Sequence, residues 1–475
     1  MENIKTIIEN QRTFFATEKT KSVDFRLKQL DQLANGLLRY EQKIMHALKQ
    51  DLNKSAFEAF LTEFGMLLED IRYVKRKLRS WVRPERVPTP MTLFGAKSRI
   101  YSEPYGVVLI ISPWNYPMYL AFGPLIGAIA AGNCAIIKPS EFVPTVSAVL
   151  NEMITALFPK EYIAVIEGDA KTSQAILEEK FDYIFFTGST HIGKSVMAQA
   201  AKHLTPVTLE LGGKSPCIVD ETANVRLAAK RITWGKCLNA GQTCIAPDYL
   251  LVHERVKDEL IHEMKATIAE LYTEDPLTNE NWPYIVNERH FDRILRLMEN
   301  EKVIVGGKSN RASRSIEPTL LDDISWENPI MQEEIFGPVL PVITYTQLDD
   351  VITNIKARPK PLALYLFSEN KTNRDKVLQS ISFGGGCIND TIFHLATPHL
   401  PFGGVGDSGM GAYHGRASFH LFSHKKSILK QTTRFDLPVR YPTMKNGLSL
   451  LKLVFARGKK VEQVASNHEE RNDVK

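Results

Sequence analysis

Gly106-Val107-Val108-Leu109-Ile110-Ile111 and Ala135-Ile136-Ile137 are short runs of mainly β-branched residues, each followed by a polar, proline-containing loop. Runs of this kind read as strands buried on both faces. No charged residue occurs between 104 and 137, a length that by itself raises the question of a membrane span. Pro113, Pro117 and Pro124 interrupt the stretch, and proline removes a backbone donor that a spanning helix needs. The segment therefore reads as strand, loop, helix from about Met118, and strand. The pattern then repeats. Lys138-Pro139-Ser140-Glu141 leads into a helix from about Pro144, Ala164-Val165-Ile166 into Gly168 and a third helix, and Tyr183-Ile184-Phe185-Phe186 into Thr187-Gly188-Ser189 and a fourth. Successive β-α units predict an α/β fold with a parallel, doubly wound sheet, whose ligand site lies at the carboxyl ends of the strands.

On the N-terminal side, Leu27, Leu30, Leu33, Leu37, Ile44 and Leu48 keep a helical period over 24–52, and a second long helix is expected over about 56–81. Arg72, Lys75, Arg76, Lys77 and Arg79 read as the solvated face of that helix rather than a nucleic-acid patch. Prolines 84, 88 and 90 and a short alternating run read as a hairpin leaving the main body, and an edge strand there offers a route to pairing with another subunit. Beyond Glu210 a second α/β region is expected, with strands at 216–219, 249–252, 303–305, 339–345 and 362–367. Residues 397–416 read as a glycine-rich loop.

The chain has 475 residues, 44% hydrophobic and 24% charged, with a net charge of +5. That is ordinary for a soluble protein of two or three domains, and no nucleic-acid partner is expected. Five widely spaced cysteines make no disulfide framework, and the N-terminus has no signal-peptide core, so a cytoplasmic location is expected.

The chemistry centres on residues 205–247. Pro206-Val207-Thr208-Leu209 delivers Glu210 to a strand end, and Gly212-Gly213 follows. Thirty-four residues after Glu210, Cys244 closes Asn239-Ala240-Gly241-Gln242-Thr243-Cys244. A loop cysteine is accessible, as a nucleophilic thiolate must be, and a nearby carboxylate can activate the thiol or a water. Cys134, Cys217, Cys237 and Cys387 read as small core residues, the commoner fate of cysteine. A competing motif is Gly188-Ser189-Thr190-His191-Ile192-Gly193-Lys194-Ser195, which matches the phosphate-binding pattern of nucleotide triphosphatases. Three β-α units precede it, however, and no strand with a metal-binding aspartate stands out.

Pro113-Trp114-Asn115-Tyr116-Pro117, Lys138-Pro139-Ser140-Glu141, Thr187-Gly188-Ser189, Glu210-Leu211-Gly212-Gly213-Lys214, Gly241-Gln242-Thr243-Cys244 and Glu333-Glu334-Ile335-Phe336-Gly337-Pro338 together resemble the aldehyde dehydrogenase superfamily. Leu400-Pro401-Phe402-Gly403-Gly404-Val405-Gly406 with Tyr413-His414-Gly415 resembles its class 3 branch, which includes fatty aldehyde dehydrogenases. The resemblance implies an NAD(P)-binding domain (1–81 and 104–209), a catalytic domain (210–396), a small β bridging element for oligomerisation (82–103 and 397–430) and a tail (431–475). It implies Cys244 as nucleophile, Asn115 with the Cys244 backbone N–H as oxyanion hole, and Glu210 as the base for hydrolysis of a thioester. It further implies NAD or NADP as cofactor and no metal. Lys138 and Glu141 would hold the adenosine ribose, Gly188, Ser189, Thr190, His191, Ile192 and Gly193 the pyrophosphate, and Glu334 and Phe336 the nicotinamide ribose and ring. A homodimer acting on an aldehyde is implied by the same resemblance.

In the tail, Leu448, Leu451 and Phe455 share one helical face ahead of Arg457, Lys459 and Lys460. This pattern fits packing on the enzyme or its partner, a helix at the substrate entrance, or peripheral contact with an anionic membrane, and it is too short to span a bilayer. A preference for medium or long aliphatic, or aromatic, aldehydes is expected with it.

Overall fold

The computed structural model describes residues 4–456, so Arg457, Lys459, Lys460 and the polar end of the chain lie outside the described residues. Two compact units are present: the chain up to Val82 with Ser102–His424, and Arg83–Tyr101 with the chain from Lys425 onward.

The larger unit holds two sheets. In the first the order is Gly409–Met410, Val207–Glu210, Tyr183–Thr187, Val107–Ile111, Cys134–Lys138, Ile163–Val165. All neighbours run parallel except Gly409–Met410, which pairs antiparallel with Val207–Glu210. In the second the order is Lys302–Val305, Thr319–Asp322, Val339–Tyr345, Tyr249–His253, Pro216–Val219, Ala363–Phe367, Gly385–Ile388, parallel throughout except for its first pair. The expected α/β, doubly wound architecture is thus present twice. The strand runs are apolar throughout because helices cover both faces; Val107, Val108, Leu109 and Ile110 are fully buried.

The uncharged stretch behaves as its prolines require. Its helix, Pro117–Ala131, is buried at every residue and ends at Gly132, whose φ of 97° only glycine adopts without strain. Among the described residues no helix is long and apolar enough to cross a membrane.

One expected element differs. The helix read as continuous over 56–81 is α-helical at Ala56–Ala59, a π turn at Phe60–Phe64, and α-helical again at Gly65–Trp81. A π turn carries one extra residue, shifts the register of the next helical turns, and is often found at functional sites. Here it accompanies the burial of Glu63, a residue with no local sequence signal for an interior position. The basic face beyond it is solvated and ion-paired, Lys75 with Asp31 and Arg79 with Asp24.

The smaller unit contains the antiparallel pairing of Glu85–Val87 with Ser98, Arg99 and Ile100 of the strand Lys97–Pro104, and this sheet is three-stranded, with Ser423–Lys430 as its third strand. Phe94 stacks on Phe435 at 5.6 Å, and the tail forms a helix at Gly447–Ala456 with Leu448 and Phe455 exposed.

Candidate active site

Cys244 follows a turn built from three consecutive left-handed residues, Asn239, Ala240 and Gly241, with φ of 53°, 51° and 74°. A side chain at Gly241 is excluded, since a Cβ there would sit 2.2 Å from the Gly337 carbonyl oxygen. Gln242 fixes the turn: its Nε2 donates to Tyr284 O (2.9 Å), and its Oε1 accepts from Val286 N–H (3.0 Å). Cys134, Cys217 and Cys237 are buried, and Cys244 is only partly so. Cys387, read from sequence as a core residue, is also partly exposed. It lies on a strand of glycines too small to cover it, with its Sγ 3.6 Å from His394 Nδ1.

Asn115, after the strand Val107–Ile111, faces this turn. Its Nδ2 donates to Gln242 O at 3.0 Å, and its own carbonyl accepts from Lys54 Nζ (2.7 Å) and Asn239 Nδ2 (2.9 Å). Glu210 ends the strand Val207–Glu210, and among the described residues neither carboxylate oxygen has a hydrogen-bond partner although both are buried. Burial raises its pKa well above the ordinary carboxylate range. The Cys244 thiol is raised for the same reason, and the carboxylates of Glu334 and Glu210 push it further. The thiol therefore lies within electrostatic reach of Glu210 and Glu334, whose carboxylates resist its ionisation.

Glu334 and Phe336 come from the segment before the strand Val339–Tyr345. Asp248 Oδ1 accepts from Ile335 N–H (2.9 Å), Arg293 donates to Glu334 O (3.0 Å) and Ile335 O (2.6 Å), and Lys214 pairs with Asp248. Burial, then Asp248, raises the Glu334 carboxyl to about 8, against a bond from Gly213 N–H. Phe336, at a φ of 50°, meets Trp114 edge-on at 5.4 Å, and Trp114 in turn lies 5.6 Å from His290. Burial lowers His290 to about 4, so this ring is neutral near pH 7.

The other sequence-predicted residues line strand ends of the first sheet. Lys138 is buried with its Nζ 2.7 Å from Pro139 O and 3.6 Å from Glu141, whose carboxylate reaches solvent. Burial lowers the Lys138 pKa. Ser189 caps the helix Thr190–Ala201 by accepting from Ile192 N–H, and Gly188 N–H donates to Glu210 O (3.0 Å). Ser189, His191 and Ile192 are exposed and Thr190 half-buried, while Gly193 is buried where a Cβ would meet Leu211 at 2.6 Å. A capped helix start with free N–H groups suits a pyrophosphate. A buried lysine at one strand end and unpartnered Thr187 and Glu210 side chains at two others leave polar capacity for a dinucleotide. Lys194, the lysine of the triphosphatase-like motif, is exposed and 3.7 Å from Asp407.

Sequence reasoning missed Lys54 and Glu63, a fully buried ion pair at 2.6 Å, as well as Trp114's neighbour His290 and the Lys214–Asp248 pair. Only the double glycine before Lys214 offered any local signal, because isolated charges look like surface residues.

Residues 1–428 match the aldehyde dehydrogenase family model. The 4,4'-diaponeurosporen-aldehyde dehydrogenase of Staphylococcus aureus (strain NCTC 8325 / PS 47) is 49% identical over 94% of this chain and 98% of that protein. The Mus musculus protein named "Aldehyde dehydrogenase, dimeric NADP-preferring" is 43% identical over 93% of this chain and 98% of its own length. Among solved structures, the substrate-bound state of Staphylococcus aureus AldH superposes with a TM-score of 0.94 at 48% identity, covering 96% of this chain and all of that one. The triphosphatase reading of residues 188–195 is set aside by these matches. The chain belongs to the aldehyde dehydrogenase family.

Proposed function

We propose that this enzyme oxidises an aldehyde to its carboxylic acid through a thioester on Cys244. The observation that carries the reading is a loop cysteine, Cys244, beside an asparagine amide bonded at 3.0 Å to the cysteine's own turn, with the buried carboxyls of Glu210 and Glu334 within electrostatic reach of the thiol. Cys244 passes its thiol proton to the Glu210 carboxylate, which hands it on to solvent; Sγ adds to the aldehyde carbon, and the carbonyl electron pair moves onto oxygen. The Asn115 side-chain amide and the Cys244 backbone N–H receive that oxyanion. NAD or NADP, when bound, would supply the hydride acceptor for this oxidation. Lys138 and Glu141 are suited to its adenosine ribose, Gly188, Ser189, Thr190, His191, Ile192 and Gly193 to its pyrophosphate, and Glu334 and Phe336 to its nicotinamide end. Glu210, as carboxylate, takes a proton from water, the hydroxide attacks the thioester carbonyl, and the Cys244 thiolate leaves.

The finer reading has residues 1–81 and 104–209 as the cofactor-binding domain, 210–396 as the catalytic domain, and 82–103 with 397–430 as the bridging element of a cytoplasmic homodimer. The mouse relative's name, dimeric and NADP-preferring, supports the dimer and the wider cofactor choice. Medium or long aliphatic, or aromatic, aldehydes are the proposed substrates. The apolar helix Gly447–Ala456 supports that preference, with membrane contact as the alternative role for its exposed Leu448 and Phe455. A panel of aldehydes of increasing chain length, assayed with NAD and with NADP, tests activity, chain-length preference and cofactor choice together. Turnover should be lost in Cys244→Ala, and persistence of wild-type turnover in that variant would defeat the mechanism.

A further inference from the structure

Lys54 and Glu63 are both buried, and their ion pair at 2.6 Å lies against the Asn115 loop. A buried ammonium is costly unless every direction of its three N–H bonds is used. Here one bond goes to Glu63 Oε1, one to the Asn115 carbonyl at 2.7 Å, and the charge sits 4.0 Å from the Tyr116 ring centre. The same Asn115 carbonyl accepts from Asn239 Nδ2 at 2.9 Å. The two loops are further tied by Asn115 Nδ2 to Gln242 O and by Tyr116 OH to Thr243 Oγ1 at 2.6 Å. Glu63 Oε2 accepts from Met118 N–H at 2.8 Å and so fixes the helix that begins just past Asn115. Glu58, before the π turn, accepts from Asn239 N–H at 2.8 Å.

We propose that Lys54 is a positioning residue for the oxyanion hole: with the Asn239 amide it clamps the Asn115 carbonyl. The clamp sets the plane of the Asn115 side chain relative to Cys244. One Nδ2 hydrogen is spent on Gln242 O, and an amide has two. The clamp therefore decides where the second one points. An ion pair that served stability alone would be replaceable by apolar groups with little loss; this one ends on the backbone of the donor residue itself. The inference rests on the proposed role of Asn115.

The test uses the full-length enzyme and three readouts. Aldehyde oxidation and hydrolysis of p-nitrophenyl acetate both pass through an oxyanion, whereas alkylation of Cys244 by iodoacetamide displaces iodide and forms none. Lys54→Met/Glu63→Gln removes both charges together and leaves no buried ion alone. In this variant oxidation and ester hydrolysis should fall about ten- to a hundredfold, the scale of a misplaced catalytic group, with alkylation within about twofold of wild type by the same reasoning. Glu63→Gln alone keeps the Lys54 donor on Asn115 and should retain most ester hydrolysis. Asn239→Gly removes the second donor while keeping the left-handed backbone, and should reproduce the selective loss even if the double variant does not fold. Unchanged ester hydrolysis in a folded double variant or in Asn239→Gly overturns the proposal, as does a parallel loss of alkylation. Asn115→Ala separates the two layers: if it too leaves turnover intact, the oxyanion role falls, and if it lowers turnover while the clamp variants do not, only the clamp falls.

Discussion

Gly212→Ala is the most sharply defined perturbation that the structure offers. A Cβ at this buried position would stand 2.1 Å from Glu334 Oε2 and 2.7 Å from its Cδ, whereas ordinary contact begins near 3.4 Å. The carboxylate must therefore retreat by about 1.3 Å, the difference between 3.4 and 2.1. The backbone that follows it is held, because Arg293 and Asp248 bond Glu334 O and Ile335 N–H. Retreat breaks the bond from Gly213 N–H to the Glu334 carboxyl. A lost bond of this kind costs about 1–3 kcal/mol, which is roughly 5- to 150-fold in affinity if Glu334 holds the cofactor. Titration with NAD, followed by quenching of tryptophan fluorescence, measures this directly, since Trp114 lies against Phe336. Glu334→Ala supplies the reference: Gly212→Ala added to it should cost little more, because the clashing group is gone. Wild-type NAD affinity in Gly212→Ala, or full additivity in the double variant, would refute the assignment of Glu334 to the cofactor.

Because burial raises the Glu210 pKa and the ionised form is the working base, turnover should climb with pH on the alkaline side. Glu210→Gln should flatten that limb and let the acyl-enzyme accumulate, visible by intact mass, and a wild-type profile in that variant contradicts the role. Burial holds the Asp70 carboxyl at about 6, above its ordinary 3.8, so the folded chain binds that proton more tightly than the unfolded one. Stability should accordingly fall as pH rises through the window between those values, by about 1–2 kcal/mol for this partly exposed group, and Asp70→Asn should remove that slope in urea melts. Lys194→Ala should leave NAD-dependent turnover near wild type, and magnesium-dependent ATP hydrolysis lost in that variant would revive the triphosphatase reading. Deleting residues 445–475 should spare short-aldehyde turnover while weakening long-chain turnover or liposome binding; no change in either, with the dimer intact, leaves the tail without those roles.

The parallel strands of the first sheet were legible because they are mainly apolar runs followed closely by glycine or proline. Gly385–Ile388 and Gly409–Met410 were not, since glycine-rich strands carry no side-chain pattern to read. The π turn at Phe60–Phe64 was equally silent: apolar residues at helical spacing run straight through it. For the site, loop residues around Cys244 and the strand end at Glu210 announced accessible chemistry, whereas Glu334 and Phe336 emerged only through the resemblance of a whole motif. Lys54 and Glu63 could not be found, because a charge in a helix connection or along a helix reads by sequence as solvated whether it faces in or out. Cys387 was read as core because that is the commoner fate of cysteine, and on its glycine-rich strand it is only partly buried.

The strand that ends at Glu210 is bordered by a segment made about two hundred residues later: Gly409 pairs with Glu210, and Leu211 N–H donates to Ser408 O. During synthesis, then, the nucleophile turn and the base both leave the ribosome long before the edge beside the base is closed. An open parallel-sheet edge is a template for foreign strands, and contacts of such separation form slowly. A chain stopped short of Gly409 should therefore behave as an aggregating intermediate rather than as a weakly active enzyme. Chaperone dependence, if the enzyme has any, should be concentrated in the interval between residues 210 and 410.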